Sequence, residues 1–437
     1  HIDPVWQWRK AEGHQEVLAT FRSALDRLHE FPSVCFISSS AQFYEWVEES
    51  DPDMFTEIKR LVREGRWIPV GGWWVECDVN CPMGESLVRQ GLYAQKYFIR
   101  HFGPVRVGFS PDTFGHPWTL PQILKKQGMD SYFYMRPEMH EKRDTPAPVF
   151  QWVGPDNSSV IAVAILNSYC ATDQNIAERI AEYIERFSQT LPHCKSAAVF
   201  YGVGNHGGGP TVSVIRKIKE LQAQQPAIHF ASPEQYIATL CDNTKPLPAV
   251  RDELQHHARG CYSACSSIKM WDRRTAAALI TAEKIASLAY VLANDRYPMS
   301  AFRESWKKVL FNQFHDLLAG TSVEEAYDDA EQDYGYALST AQDIMMKATQ
   351  AIVQRINTSG SAVTPFMVFN PCSWPVSRYI EFETELPNPD TRDGALSTIR
   401  NSGAQQAPRE KCVLRNSNGD AVPFQMLPTA AAKQENQ

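Results

Sequence analysis

No uninterrupted run of eighteen apolar residues occurs in the 437-residue chain, so nothing in it reads as a transmembrane helix. Lys and Arg form no cluster. With 43 of them against 50 Asp and Glu, the formal charge is −7, which argues against nucleic acid or an anionic membrane as partner. Ten cysteines are too sparse for a disulfide scaffold, and the pairs Cys77/Cys81 and Cys261/Cys265 have no second pair at zinc-finger spacing. Reduced thiols and a cytoplasmic setting are the resulting expectation. The glycine-rich stretch at 202–209 lacks both the Lys-Ser/Thr of a phosphate loop and the spacing of a dinucleotide fingerprint, which sets a nucleotide aside. Internal repeats and low-complexity tracts are absent. No signal peptide is visible, and the chain opens on His1 without a strand leading into it. Residues 430–437 carry no domain-closing pattern either, so the sequence reads as a fragment truncated at both ends.

What is present is enough apolar residue, 43%, to bury more than one core; the length predicts two or three domains. From 1 to 258, short β-rich runs alternate with helical spacing. The runs 34–37, 105–109, 160–165 and 198–201 are nearly continuous apolar stretches, as in parallel strands covered on both faces. Helical periodicity marks 13–29, 41–64, 84–102 and 173–190, which together predict an α/β sheet or barrel domain. Residues 259–358 predict a three-helix bundle. Leu279, Ala282, Ile285, Ala289 and Leu292 mark its first helix; Phe302, Trp306, Val309, Leu310 and Leu317 mark a second that ends at Gly320. A capping box at Ser322–Glu325 opens a third that runs to about 356. From 359 to 437 the pattern turns to β, with strands predicted at 366–371 and 376–382 as the start of a sandwich. Whether the chain forms a homo-oligomer is left open.

Three stations carry the chemistry. In His1-Ile2-Asp3 both ionisable side chains lie on one side of an extended segment, a compact two-ligand clamp. Asp112, in Ser110-Pro111-Asp112-Thr113-Phe114-Gly115-His116, follows a strand end with Pro and Gly controlling the backbone, where α/β folds place their sites. His315, in Gln313-Phe314-His315-Asp316, sits near the end of the second bundle helix, able to face the α/β domain. Such N and O donors suit zinc, and an ionised Asp can also be a nucleophile. Two further stretches fit a ligand. Trp73-Trp74-Val75-Glu76-Cys77-Asp78 mixes aromatics and carboxylates as a sugar subsite does. Tyr201-Gly202-Val203-Gly204-Asn205-His206 follows a predicted strand, its glycines letting backbone approach a ligand.

The motifs His-x-Asp-Pro-x-Trp at 1–6, Gly-Gly-Trp-Trp-Val-Glu at 71–76, Gly84–Gln90, Ser-Pro-Asp-Thr-Phe-Gly-His at 110–116 and Gln-Phe-His-Asp at 313–316, in this order, resemble glycoside hydrolase family 38, the retaining α-mannosidases, and in particular its bacterial and cytosolic branch. The resemblance implies a seven-stranded barrel-like β/α domain, a helix bundle and β-domains. It implies one Zn2+ held by His1, Asp3, Asp112 and His315, with Asp112 also the nucleophile in cleaving a mannoside or oligomannose. Trp6, Trp74, Glu76, Asp78, Phe114, Tyr201, Asn205 and Asp316 are then expected to contact the sugar. One departure stands out. The family keeps an acid/base Asp in a glycine-rich loop where this sequence has Gly204-Asn205-His206. An amide cannot transfer that proton, which leaves His206, Asp252 or Glu253. Without a donor, the chain would be a metal-dependent sugar-binding pseudo-enzyme. A polysaccharide deacetylase is a third reading, weakened by the lack of a His-x-x-x-His pair.

Overall fold

The computed structural model describes residues 1–240, 246–358, 365–381 and 413–425. The chain opens with an extended segment and then α1 (Lys10–Glu30), β1 (Phe36–Ser38), α2 (Ala41–Ser50), α3 (Pro52–Arg63), β2 (Trp67–Pro69) and α4 (Gly84–His101). The continuous helix predicted over 41–64 is broken at Asp51-Pro52. The proline occupies the first turn of α3, and Asp51 caps it by accepting from the Met54 amide at 2.9 Å. Next come β3 (Val107–Ser110), α5 (Leu120–Lys126), β4 (Ser131–Tyr134), β5 (Val149–Val153), β6 (Ser159–Ala164), α6 (Ile176–Thr190), α7 (Val212–Gln224), α8 (Pro233–Thr239) and β7 (Ala249–Val250).

Among the described residues the strands form two sheets, β1-β2 and β3-β4-β6-β5-β7, parallel except for the β5-β6 pair. The Gly71 amide, just past β2, donates to the Val107 carbonyl of β3 at 2.8 Å and joins the two. Phe109, Phe133, Val149 and Val163 form the core between the sheet and the helices. The strand predicted over 198–201 is not one. That stretch is only partly buried and belongs to neither sheet, although Phe200 packs on Phe109 and Phe133.

The helical part consists of α9 (Ser266–Ala293), α10 (Met299–Asn312), α11 (His315–Ala319) and α12 (Glu324–Val353). Leu279, Ala282, Ile285 and Ala289 of α9 are buried against α10 and α12. By length and hydropathy α9 does qualify as a possible membrane span, contrary to the expectation from uninterrupted runs; its place in the bundle accounts for its apolar face. The predicted second helix is two pieces. It stops at Asn312, and after Gln313-Phe314 it restarts as α11, which Gly320 caps at φ +90°. The predicted capping box does not form, because Val323 is the N-cap of α12 and the Ser322 hydroxyl bonds nothing.

His1–Met367, which holds all these elements, is one compact unit, and Val368–Gln437 is the other. The predicted strands at 366–371 and 376–382 are absent from the described residues 365–381. Val368, Tyr379 and Ile380 are exposed there with no ladder partner. Residue 382 and most of the predicted sandwich lie outside the described residues. Among the described residues seven cysteines are free, but Cys194 is disulfide-bonded, a departure from the expectation of reduced thiols throughout.

Candidate functional site

The first residues are anchored by Ile2 and Val5, both buried, and pass over the start of α1 at Gly13. The Asp3 amide donates to the His206 carbonyl at 3.2 Å, and the Trp8 indole donates to the Asp3 carbonyl at 3.1 Å. As the alternation of an extended chain requires, the two side chains meet: His1 Nε2 lies 2.7 Å from Asp3 Oδ1. The other ring nitrogen, Nδ1, lies 2.6 Å from Glu76 Oε2. Burial alone would lower the His1 pKa, but Glu76 and Asp3 outweigh it and hold the imidazole well above its ordinary value.

Asp112 stands just beyond β3, with Pro111 between. Its amide donates to Glu76 Oε1 at 2.7 Å, and Oδ2 accepts from the Tyr169 hydroxyl at 3.0 Å. Arg136 Nε donates to Oδ1. Burial pushes this carboxyl up, yet His1, His315 and Arg136 pull it further down, to about 2. It is therefore an anion at any physiological pH.

His315 opens α11 and is brought there by the break after α10. Gln313 at that break donates to Asp272 of α9 at 2.8 Å and accepts from Gln90 of α4 at 3.2 Å. Gln90 also reaches the Leu310 carbonyl at 2.8 Å, while Arg89 forks onto Glu283 at 2.6 and 2.7 Å. The Gly84–Gln90 motif thus clamps the α/β body onto the bundle. The backbone completes the joint: the His315 amide donates to the Glu76 carbonyl and the Asp78 amide to the Gln313 carbonyl, at 3.2 and 2.9 Å.

His315 Nδ1 lies 2.9 Å from the Glu76 carbonyl, an acceptor only, so Nδ1 carries the proton and Nε2 of the neutral ring is a bare lone pair. That Nε2 is fully buried with no hydrogen-bond partner. Ligand atoms of His1, Asp112 and His315 lie within 4.8 Å of one another, and so do those of Asp3, His315 and Asp316. An orphaned buried imidazole nitrogen facing carboxylates is the donor set a borderline divalent cation fits. Asp316, buried and bonded to Thr321 at 2.5 Å, is raised by burial to about 6 despite His315.

Other expected sugar contacts fare differently. Phe114 stays at the cluster, its ring 5.7 Å from that of His315. Trp6 is half-buried beside His206, with ring centres 6.2 Å apart. Glu76 is not free to bind a sugar. Both its oxygens are taken by His1 and the Asp112 amide, and its carbonyl by His315, so it organises the other residues. Trp74 is a core residue, 1% exposed, with its indole on Gln42. Asp78 is a buried turn residue that accepts from the Asn80 and Cys81 amides. Tyr201 packs its ring on Phe230. Of the alternatives to His206, Asp252 is exposed and paired with Lys142 at 2.7 Å, and Glu253 is exposed near His256. The sequence reading missed Arg136, Tyr169, Glu141 and His257. Arg136 had a usable signal, a cation just after the buried run Ser131–Tyr134.

Residues 1–258 match the domain described as "Glycosyl hydrolases family 38 N-terminal domain", and residues 256–352 match the "Alpha mannosidase middle domain". Alpha-mannosidase G of Dictyostelium discoideum is 30% identical over 82% of this chain and 32% of its own length. Human Alpha-mannosidase 2C1 is 30% identical over 80% of this chain and 34% of its own. The chain thus spans about a third of the curated relatives it matches. An alpha-mannosidase from Enterococcus faecalis V583 shares the fold with a TM-score of 0.71 at 22% identity, covering 82% of this chain and 42% of that one. With the family 38 domain matched over more than half its length, the chain belongs to glycoside hydrolase family 38.

Proposed function

We propose that this chain carries the catalytic site of a retaining α-mannosidase that removes terminal α-linked mannose from a mannoside or oligomannose. The observation that supports it most is the convergence of His1, Asp112 and His315 within 4.8 Å, next to Asp3 and Asp316, in a family 38 chain. In this reading His1, Asp3, Asp112 and His315 hold one divalent ion, and two imidazoles favour Zn2+ over harder cations. When bound, the ion supplies Lewis acidity toward neighbouring sugar hydroxyls and helps hold the ring. Trp6, Phe114 and Asp316 contact the sugar. The two joined sheets are read as the arc of a seven-stranded barrel-like body.

Asp112 is the nucleophile. Its carboxylate stays ionised and is oriented by Arg136 and Tyr169. It forms a mannosyl ester as the glycosidic C–O bond breaks, and water then hydrolyses the ester. His206 supplies the proton to the leaving oxygen and takes one back from that water. As an acid the ring must be the imidazolium, so the Asn205 side-chain amide, 2.9 Å from His206 Nδ1, presents its oxygen to Nδ1–H and leaves the transferable proton on Nε2. Asn205 at φ +62° thereby orients the donor rather than replacing it.

The test is His206→Ala on two substrates. A dinitrophenolate leaves without protonation, whereas a sugar alkoxide does not, so loss should be roughly 10²–10⁴-fold on a mannosyl disaccharide and small on the dinitrophenyl mannoside. Equal losses on both would remove His206 from the role. A wild-type chain that binds mannose and cleaves neither substrate would favour the binding-only reading.

A further inference from the structure

We propose that His257 and Glu141 are a positioning pair that locks the Arg136 guanidinium onto Asp112; the inference rests on Asp112 being the nucleophile. Arg136 follows β4 and presents two edges. Its Nε donates to Asp112 Oδ1, and its Nη1 lies 3.0 Å from His257 Nε2. A guanidinium has donors only, so His257 Nε2 must be the acceptor. The ring proton is then on Nδ1, which lies 2.7 Å from Glu141 Oε1. The direction of every bond is fixed: Arg136 donates to Asp112 and to His257, and His257 donates to Glu141. Such a run, in which each group sets the next one's orientation, is the arrangement that orients ligating and catalytic side chains in other sites.

Both ends of the run are anchored. Glu141 Oε2 accepts from the Glu138 amide at 2.8 Å, so its carboxylate is tied into its own turn. The Arg136 carbonyl accepts from His116 Nε2 at 2.8 Å, while His116 Nδ1 accepts from the Tyr132 hydroxyl. The Phe114 ring sits under the pair, 5.9 Å from the guanidinium carbon and 5.7 Å from the His257 ring. What remains free in Arg136 is the swing of its long side chain, and His257 is the contact that stops it. Neither His257 nor Glu141 belongs to the set proposed to hold the ion. Their effect reaches the reaction through Arg136 alone.

The experiment uses the zinc-loaded full chain and an aryl α-mannoside. His257→Leu removes the acceptor and should lower kcat by about 10- to 100-fold, the effect of a misaligned nucleophile. KM should stay within about twofold and zinc should stay stoichiometric, because binding and ligation are untouched. His257→Gln should recover most of kcat, since its amide oxygen accepts from Arg136 and its nitrogen donates to Glu141. Glu141→Ala should act like His257→Leu, and the double variant should be no worse than either. Full kcat in His257→Leu, equal impairment in the Leu and Gln variants, or a change in KM alone would overturn the pair. Independently of turnover, 15N NMR of the wild-type chain should find His257 protonated on Nδ1 and bare on Nε2; the opposite tautomer or a doubly protonated ring overturns it. An inactive wild type with the expected tautomer would refute the nucleophile reading and leave the bonded pair standing.

Discussion

Gly13→Ala pits helix propensity against the placement of the His1–Asp3 segment proposed to hold the metal. In an ordinary helix this substitution stabilises by about 1 kcal/mol. Here the added Cβ would stand 1.8 Å from the Pro4 carbonyl oxygen and 2.4 Å from its carbon. Real contacts begin at 3.0 Å, so one backbone must retreat by more than about 1 Å, and neither can rotate away as a side chain would. The helix is held by its buried face of Val17, Phe21, Ala24 and Leu25, so the terminal segment moves. Asp3 lies next to Pro4, and its amide bond to the His206 carbonyl is already 3.2 Å. Overpacking of this kind costs about 1–3 kcal/mol, and a 1 Å displacement of a catalytic group costs on the order of 10²-fold in rate. Gly13→Ala should therefore weaken zinc in a chelator competition and reduce kcat/KM on an aryl α-mannoside about 100-fold, with a Tm no higher than the parent. A variant that is more stable, holds zinc as tightly and turns over as fast would refute the reasoning.

Two further outcomes follow from buried groups. His315→Ala should lose the ion but keep the fold, since the side chain makes one hydrogen bond, worth about 1 kcal/mol; stoichiometric zinc in the purified variant would contradict this. Asp272, 1% exposed, is pushed by burial to about 6, with Gln313 and Tyr334 pulling the other way. A carboxyl raised in the folded state binds its proton more tightly there than when unfolded. Stability should then fall as pH rises from about 4 to 6, by roughly 2–3 kcal/mol from this group. Urea unfolding at several pH values should show that fall, and Asp272→Asn should flatten it; a variant with an unchanged pH dependence would remove Asp272 as its source.

The sequence carried the juxtaposition of His1, Asp3, Asp112 and His315 because each sits in a local pattern with a physical meaning. Alternation puts His1 beside Asp3, and the Pro111 turn puts Asp112 at a strand end. It did not carry the surroundings. Trp74 and Asp78 have the composition of a sugar subsite, but composition is silent on burial, and the fold turns both inward. Glu76 was visible as a carboxylate, whereas its three bonds depend on residues 36, 75 and 239 positions away. Arg136 and His257 are 121 positions apart, a contact no local pattern encodes. The apolar run 198–201 has the look of a strand, yet a strand requires a partner and this one has none among the described residues. Phe314 lies in an otherwise helical pattern, and the break that frees His315 is set by the buried bonds of Gln313.

Retention through Asp112 requires a covalent mannosyl ester on that carboxylate. Incubating the zinc-loaded chain with a slow, activated fluoro-mannoside and mapping the peptides by mass spectrometry should find one added sugar, on the peptide containing Asp112, in parallel with loss of activity. An adduct on another carboxylate, or active turnover with no adduct and an inverted product anomer by NMR, would contradict it.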